Sequence, residues 1–214
     1  MDSSKGFFVV FEGIDGVGKT SIIKGVYEHL KDDFDIVLTK EPTKFFNKLN
    51  KLINDPESEI FQFWIDRLLN LNRNVKPALE EGKLVIQDRY FDSTYAYQDR
   101  SEMDSSFSVV NYCNLFLVPD ITFVVECPIG QCLERLKKSR KSLSKYEKED
   151  LSVWLQRSAL YKKLRHIGPK REIFTVINED GMLDFCISEV VHTIRTFWER
   201  KVDGLSRSEA CDAA

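Results

Sequence analysis

The sequence predicts an α/β fold, a parallel five-stranded sheet with helices on both faces. Three observations carry that prediction. Short, continuously apolar runs alternate with longer amphipathic stretches, the pattern of strands buried on both sides by crossover helices. A glycine-rich turn joins the first apolar run to the first amphipathic one. No apolar run approaches the roughly 18 residues that span a membrane. The chain has 214 residues, 43% hydrophobic and 30% charged, which suits one domain with a full core.

The predicted strands are Phe7–Phe11, Ile36–Thr39, Lys83–Gln87, Ile121–Glu126 and Glu172–Ile177. Amphipathic stretches between them place helices near residues 19–31, 44–54, 57–80, 105–117, 129–165 (interrupted) and 181–200. Right-handed crossovers bring the loops to the carboxyl edge of the sheet, where ligands bind in such folds. With neither a repeat nor a Pro/Ser-rich linker, residues 1–202 read as a single domain. Residues 203–214, DGLSRSEACDAA, carry few large apolar side chains and are expected to be a disordered tail. Residues 134–150 stand apart, with Arg135, Lys137, Lys138, Arg140, Lys141, Lys145 and Lys148 and almost no apolar content. A solvated helix face explains such a run. Beside a phosphate site it reads as a basic lid instead.

Composition excludes several classes of function. The net charge is −3, so no global basic field points to a nucleic-acid polymer. Cys113, Cys127, Cys132, Cys186 and Cys211 are odd in number and form no CxxC pair, which favours free thiols in a reducing compartment. The opening MDSSKGFF lacks the layout of a signal peptide. The expectation is a cytoplasmic protein that does not engage a membrane.

The strongest signal is FFVVFEGIDGVGKT, residues 7–20, in which a strand feeds Gly13, Ile14, Asp15, Gly16, Val17, Gly18, Lys19 and Thr20. This is the phosphate-binding loop pattern between strand and helix, so the fold is expected to be of the P-loop NTPase type. Its glycines let backbone N–H groups converge on polyphosphate oxygens, Lys19 adds a point charge, and the Thr20 hydroxyl suits Mg²⁺. The next helix turns its positive dipole end to the same anion.

A second constellation follows the third strand. Asp88, at its carboxyl end, could hold Mg²⁺ directly or through water, and Arg89 offers a planar fork to a second phosphate. Such a pair also serves as a plain ion pair at a helix start. Tyr97 and Gln98 could shape a pocket for sugar and base. Upstream, Phe63 and Arg67 are four residues apart and share a helix face. They could stack and hydrogen-bond a base, or be a core aromatic and a surface charge.

Together these segments resemble the thymidylate kinases, which phosphorylate dTMP to dTDP with ATP. The resemblance rests on FEGIDGVGKT, KEP (40–42), FxxxR (63–67), KPALEEGKLVIQDRY (76–90), STYAYQ (93–98) and the basic lid with KYEKED (145–150). It implies that Asp15 contacts the acceptor's 3′-hydroxyl and that Lys19 and Thr20 serve ATP and Mg²⁺. It implies further that Phe63 stacks on thymine, that Arg67 bonds its carbonyl, and that Thr94 and Gln98 lie nearby. Glu41, Pro42 and Ser93 fall in the matching acceptor-binding segments, Arg89 would hold the dTMP phosphate, and Tyr97 would crowd the sugar's 2′ position. No arginine interrupts Asp15-Gly16-Val17, so the catalytic arginine is expected from the lid, with Arg140 the first choice and Arg135 the second. The family also implies a homodimer, for which apolar residues on helices 57–80 and 105–117 are suited, though they serve equally as core. The chain departs from the family's pattern at Thr43-Lys44, at Asp99-Arg100-Ser101 and in its lysine-heavy lid, changes that touch the acceptor pocket and its cap and leave a nucleoside monophosphate kinase of relaxed specificity as an alternative. A deoxynucleoside kinase is the nearest rival; it would need a carboxylate base, which Glu12 or Glu41 could supply. A nucleotide-dependent partner-binding module is the second, although no N-K-x-D base-reading motif is present.

Overall fold

The computed structural model describes residues 6–53, 55, 58–98, 115–139, 144, 146–164 and 171–212. Five strands, β1 (Phe7–Glu12), β2 (Ile36–Lys40), β3 (Leu84–Asp88), β4 (Ile121–Glu126) and β5 (Glu172–Ile177), form one sheet in the order β2-β3-β1-β4-β5. Every pairing is parallel, with Val9 opposite Ile86 on one side and Ile121 on the other. The helices are α1 (Lys19–Leu30), α2 (Lys44–Ile53), α3 (Glu59–Asn70), α4 (Lys76–Glu80), α5 (Phe91–Gln98), α6 (Ile129–Ser139), α7 (Leu151–Leu164) and α8 (Leu183–Asp212).

The period of two along β1 explains why its run is apolar throughout. Phe7, Val9 and Phe11 enter the core beneath α1 and α8, with Ile22, Val26, Val190 and Ile194. Phe8 and Val10 enter a second core with Leu71, Val75, Leu79 and Tyr90. All six β1 residues are buried, so its carboxyl end is a rigid platform for the loop that follows.

Two expected elements differ. The single helix of 57–80 is three pieces, because a π-helical turn, Leu71–Val75, separates α3 from α4. Pro77 has no N–H to donate back into the preceding turn, and the wider π turn accommodates this. The backbone of α8 continues to Asp212, through most of the stretch expected to be a tail. Alanine, glutamate, arginine and leucine there favour helix despite the lack of apolar bulk. The helix of 105–117 falls almost wholly outside the described residues. Cys127, Cys132 and Cys186 are unbridged.

Candidate active site

The glycine-rich loop wraps as its residue types require. Gly16 and Gly18 have φ of 80° and 93°, and a Cβ at either would lie about 2.5 Å from the Cys132 carbonyl oxygen or 2.3 Å from Asn178 Nδ2. Asn178, at the end of β5, donates from Nδ2 to the Val17 carbonyl at 2.7 Å and latches the loop from behind. Ile14 and Val17 are buried, anchoring the turn. The buried Lys19 donates from Nζ to the Gly13 and Ile14 carbonyls at 2.8 and 2.9 Å. Burial, reinforced by Arg89, lowers its pKa to about 8. A pocket of about 140 Å³ opens here, lined by Asp15, Gly18, Lys19, Thr20, Lys40 and Asp88 among others.

Thr20 and Asp88 fit a divalent cation. Thr20 Oγ1 lies 3.3 Å from Asp88 Oδ2, which also accepts Lys40 Nζ at 3.1 Å. Asp88 Oδ1 is buried and has no hydrogen-bond partner among the described residues. Burial alone would raise the Asp88 pKa, but Lys19, Lys40 and Arg89 outweigh it and hold it below the usual value. An ionised carboxylate with an unused oxygen beside a hydroxyl is the hard donor set that Mg²⁺ takes.

Beyond the loop lies a larger cavity of about 470 Å³, walled by Asp15, Glu41, Pro42, Phe63, Arg67, Arg89, Ser93, Thr94 and Tyr97. Eight of the predicted acceptor residues and Asp15 therefore meet around one space. Arg67 is only 1% exposed, which removes the reading as a surface charge. Its Nε donates to Glu41 Oε2 at 2.8 Å and its Nη2 to Thr94 Oγ1 at 2.8 Å. Nη1 is buried and has no hydrogen-bond partner among the described residues, while the guanidinium packs over the Tyr90 and Phe116 rings at 5.0 and 5.1 Å. Phe63 stacks on Phe46 at 4.2 Å between ring centres, a flat aromatic wall to the same space. Gln98 closes α5, but its side chain lies outside the described residues.

Arg89 sits at φ 70°, an uncommon conformation for a side chain with a Cβ. Its N–H donates to the Phe11 carbonyl at 2.9 Å, and Gln87 Nε2 donates to its carbonyl at 3.0 Å, so the strain is held from both sides. The turn aims its guanidinium at Asp15 Oδ1 (2.7 Å) and Ser93 Oγ (3.0 Å). The Tyr97 hydroxyl donates to Asp15 Oδ2 at 3.0 Å. Glu12, one of the two carboxylates considered as a base, is occupied elsewhere. It accepts the N–H groups of Tyr90 and Ser93 and the Ser93 hydroxyl, and does not line the cavity. Burial, aided by Asp92, raises its pKa to about 7. Glu41, the other, is tied to Arg67 and Gln87.

The thymidylate kinase family model matches residues 11–179, about four-fifths of the chain, from the glycine-rich loop to the Asn178 latch. The chain belongs to the thymidylate kinase family. It is 36% identical to the thymidylate kinase of Halothermothrix orenii over 146 residues, 62% of this chain and 70% of that one. It is 31% identical to that of Acinetobacter baylyi over 177 residues, 77% and 87% of the two chains. Its fold is similar to the crystal structure of thymidylate kinase from Ehrlichia chaffeensis, with a TM-score of 0.64 and 26% identity, covering 88% of this chain and 98% of that one. These matches agree with the resemblance read from the motifs.

The basic stretch 134–150, expected to be a lid, lies only partly within the described residues. Arg140 lies outside the described residues. Arg135, on α6, binds the Asn178 carbonyl (Nη1, 3.0 Å) and Asp180 (Nη2, 2.7 Å) beside Gly18, at the edge of the phosphate loop. Sequence reasoning missed Arg157 and Tyr146. Arg157 lies over the Tyr97 ring at 4.3 Å and donates to the Tyr146 carbonyl, while the Tyr146 hydroxyl donates to Glu59 across the cavity mouth. The aromatic in KYEKED was the available signal for Tyr146. Nothing local marks Arg157. Phe46, Asn47 and Asn50, on the α2 wall, were also missed because α2 reads as an ordinary amphipathic helix.

Proposed function

We propose that this thymidylate kinase transfers the γ-phosphoryl group of ATP to dTMP by direct in-line displacement. The observation that carries the acceptor is the buried Arg67, which lines a cavity beside Phe63 and whose Nη1 donor has no partner among the described residues. A pyrimidine stacked on Phe63 would offer a carbonyl to that donor, and Arg89 would take the acceptor phosphate. Asp15 lines both this cavity and the donor pocket, where it would meet the sugar's 3′-hydroxyl.

The loop backbone and Lys19 would cradle the ATP phosphates, and Thr20 and Asp88 would hold Mg²⁺, which supplies charge neutralisation when bound. The acceptor is already a phosphate dianion near neutral pH, so the reaction needs no strong general base. This agrees with the engagement of Glu12 and Glu41 in internal hydrogen bonds. Arg140 would bring the transition-state charge from the lid. Exposed Phe61 and Ile65 on α3 support a homodimer through that helix. No described helix is long and apolar enough to cross a membrane. We place the reaction in the cytoplasm, with nucleotides as its substrates.

A panel of nucleoside monophosphates offered with ATP and Mg²⁺ tests the reading. dTMP should be the preferred acceptor, and thymidine should not react. Phosphorylation of thymidine but not of dTMP would overturn it.

A further inference from the structure

Asp15, Lys40 and Arg89 are the side chains common to the donor pocket and the acceptor cavity. Asp15 and Arg89 are paired with each other at 2.7 Å, and Arg89 is further held by Ser93. Lys40 differs in its tether. It ends β2, its side chain is 59% exposed, and its hydrogen bond is to Asp88 Oδ2, the oxygen that also faces Thr20 Oγ1. A cation held by Thr20 and Asp88, even one taking the unused Oδ1, would meet the Lys40 ammonium on the same carboxylate and be repelled by it. Asp88 itself is 6% exposed and follows rigidly from β3, so the lysine is the partner able to swing. Its long, mostly solvated stem reaches either space.

We propose that Lys40 is a counter-charge shared between the two sites. It neutralises Asp88 until a divalent cation takes that carboxylate, and displacement turns its ammonium into the acceptor cavity. Metal-nucleotide and acceptor then bind cooperatively, because each favours the same position of one side chain, and the effect is reciprocal. The proposal rests on the acceptor and metal assignments above. It adds that neither site is electrostatically complete without the other's ligand.

The experiment measures binding alone. Wild-type protein and the Lys40→Met and Lys44→Met variants are titrated calorimetrically with dTMP in the presence of ADP, with and without Mg²⁺. Lys44, exposed at the start of α2, controls for loss of a nearby positive charge. The wild-type protein should bind dTMP about fivefold more tightly when the metal is present. Lys44→Met should keep that factor and Lys40→Met should lose most of it. In a second arm, Mn²⁺ binding to the ADP-loaded protein is followed by electron paramagnetic resonance. Lys40→Met should bind Mn²⁺ about threefold more tightly than Lys44→Met, the competing ammonium having been removed. A wild-type factor near one, an equal factor in Lys40→Met, or equal Mn²⁺ affinities in the two variants overturns the proposal. Failure of dTMP to bind any sample would sink the acceptor assignment, while the Mn²⁺ arm still decides whether Lys40 guards Asp88.

Discussion

Arg67→Met separates the two roles of the most buried charge in the acceptor cavity. The substitution removes the partner of Glu41, which lies almost wholly inside the protein at 2% exposed. Deleting one member of a buried pair costs about 3–5 kcal/mol, because the survivor is left charged in a poorly solvating site. For a chain of this size that lowers Tm by roughly 6–20 °C. Adding Glu41→Gln removes the stranded charge and should recover most of the loss. It cannot restore the Nη1 donor. The double variant should therefore fold well but lose about 1.5–3 kcal/mol of acceptor binding, a drop of roughly 10- to 150-fold in kcat/KM for dTMP. Urea unfolding followed by circular dichroism reads the first effect, and a coupled ADP-release assay reads the second. The reasoning fails if the single variant stays within about 1 kcal/mol of wild type, or if the double variant regains full turnover.

Three further outcomes are expected. Lys19, held down to about 8 by burial, should regain its charge against the ATP phosphates, so binding at pH 8 takes up about half a proton. Calorimetry in buffers of different ionisation enthalpy would show this, and a buffer-independent enthalpy would contradict it. Glu12 keeps a proton up to about pH 7 in the folded chain but releases it near 4.5 when unfolded. Its contribution is thus full below 4.5 and is lost as pH rises to 7, by about 3 kcal/mol, and Glu12→Gln should flatten that slope in denaturant titrations. Arg140→Ala should cut kcat by on the order of 10³ or more with Mg·ATP binding intact, whereas Arg135→Ala should act on the KM for ATP. Near-wild-type turnover without Arg140 would pass the role to Arg135 or a lid lysine.

What was legible in the sequence is what local patterning encodes. The five strands were placed to within a residue at their ends: β1, β3 and β4 are short apolar runs buried on both faces, and the half-exposed edge strands β2 and β5 are still β-branched runs bounded by polar turns. The phosphate loop was legible for the same reason, since its glycines, lysine and threonine act within eight consecutive positions. Arg67 was half legible. Its helical spacing from Phe63 was visible, but its burial depends on Glu41, 26 residues earlier, and on Thr94, 27 residues later. No window of sequence contains that compensation. The break in 57–80 has a local signal in Pro77, whose missing N–H opposes a helical periodicity that runs on through it. Arg157 and the Lys40–Asp88 contact were out of reach, because both are created by packing between distant elements.

The Asn178 latch has a consequence for how this protein comes into being. Its bond to the Val17 carbonyl spans 161 positions of chain. The loop is written early in the chain, yet its closing support arrives just past β5, the last strand among the described residues, after β4 and α7 have been made. During synthesis the first 170 residues therefore carry every glycine of the loop but not its clasp. A growing chain should therefore fix the shape of this loop only as β5 docks, so that order in the loop marks completion of the sheet.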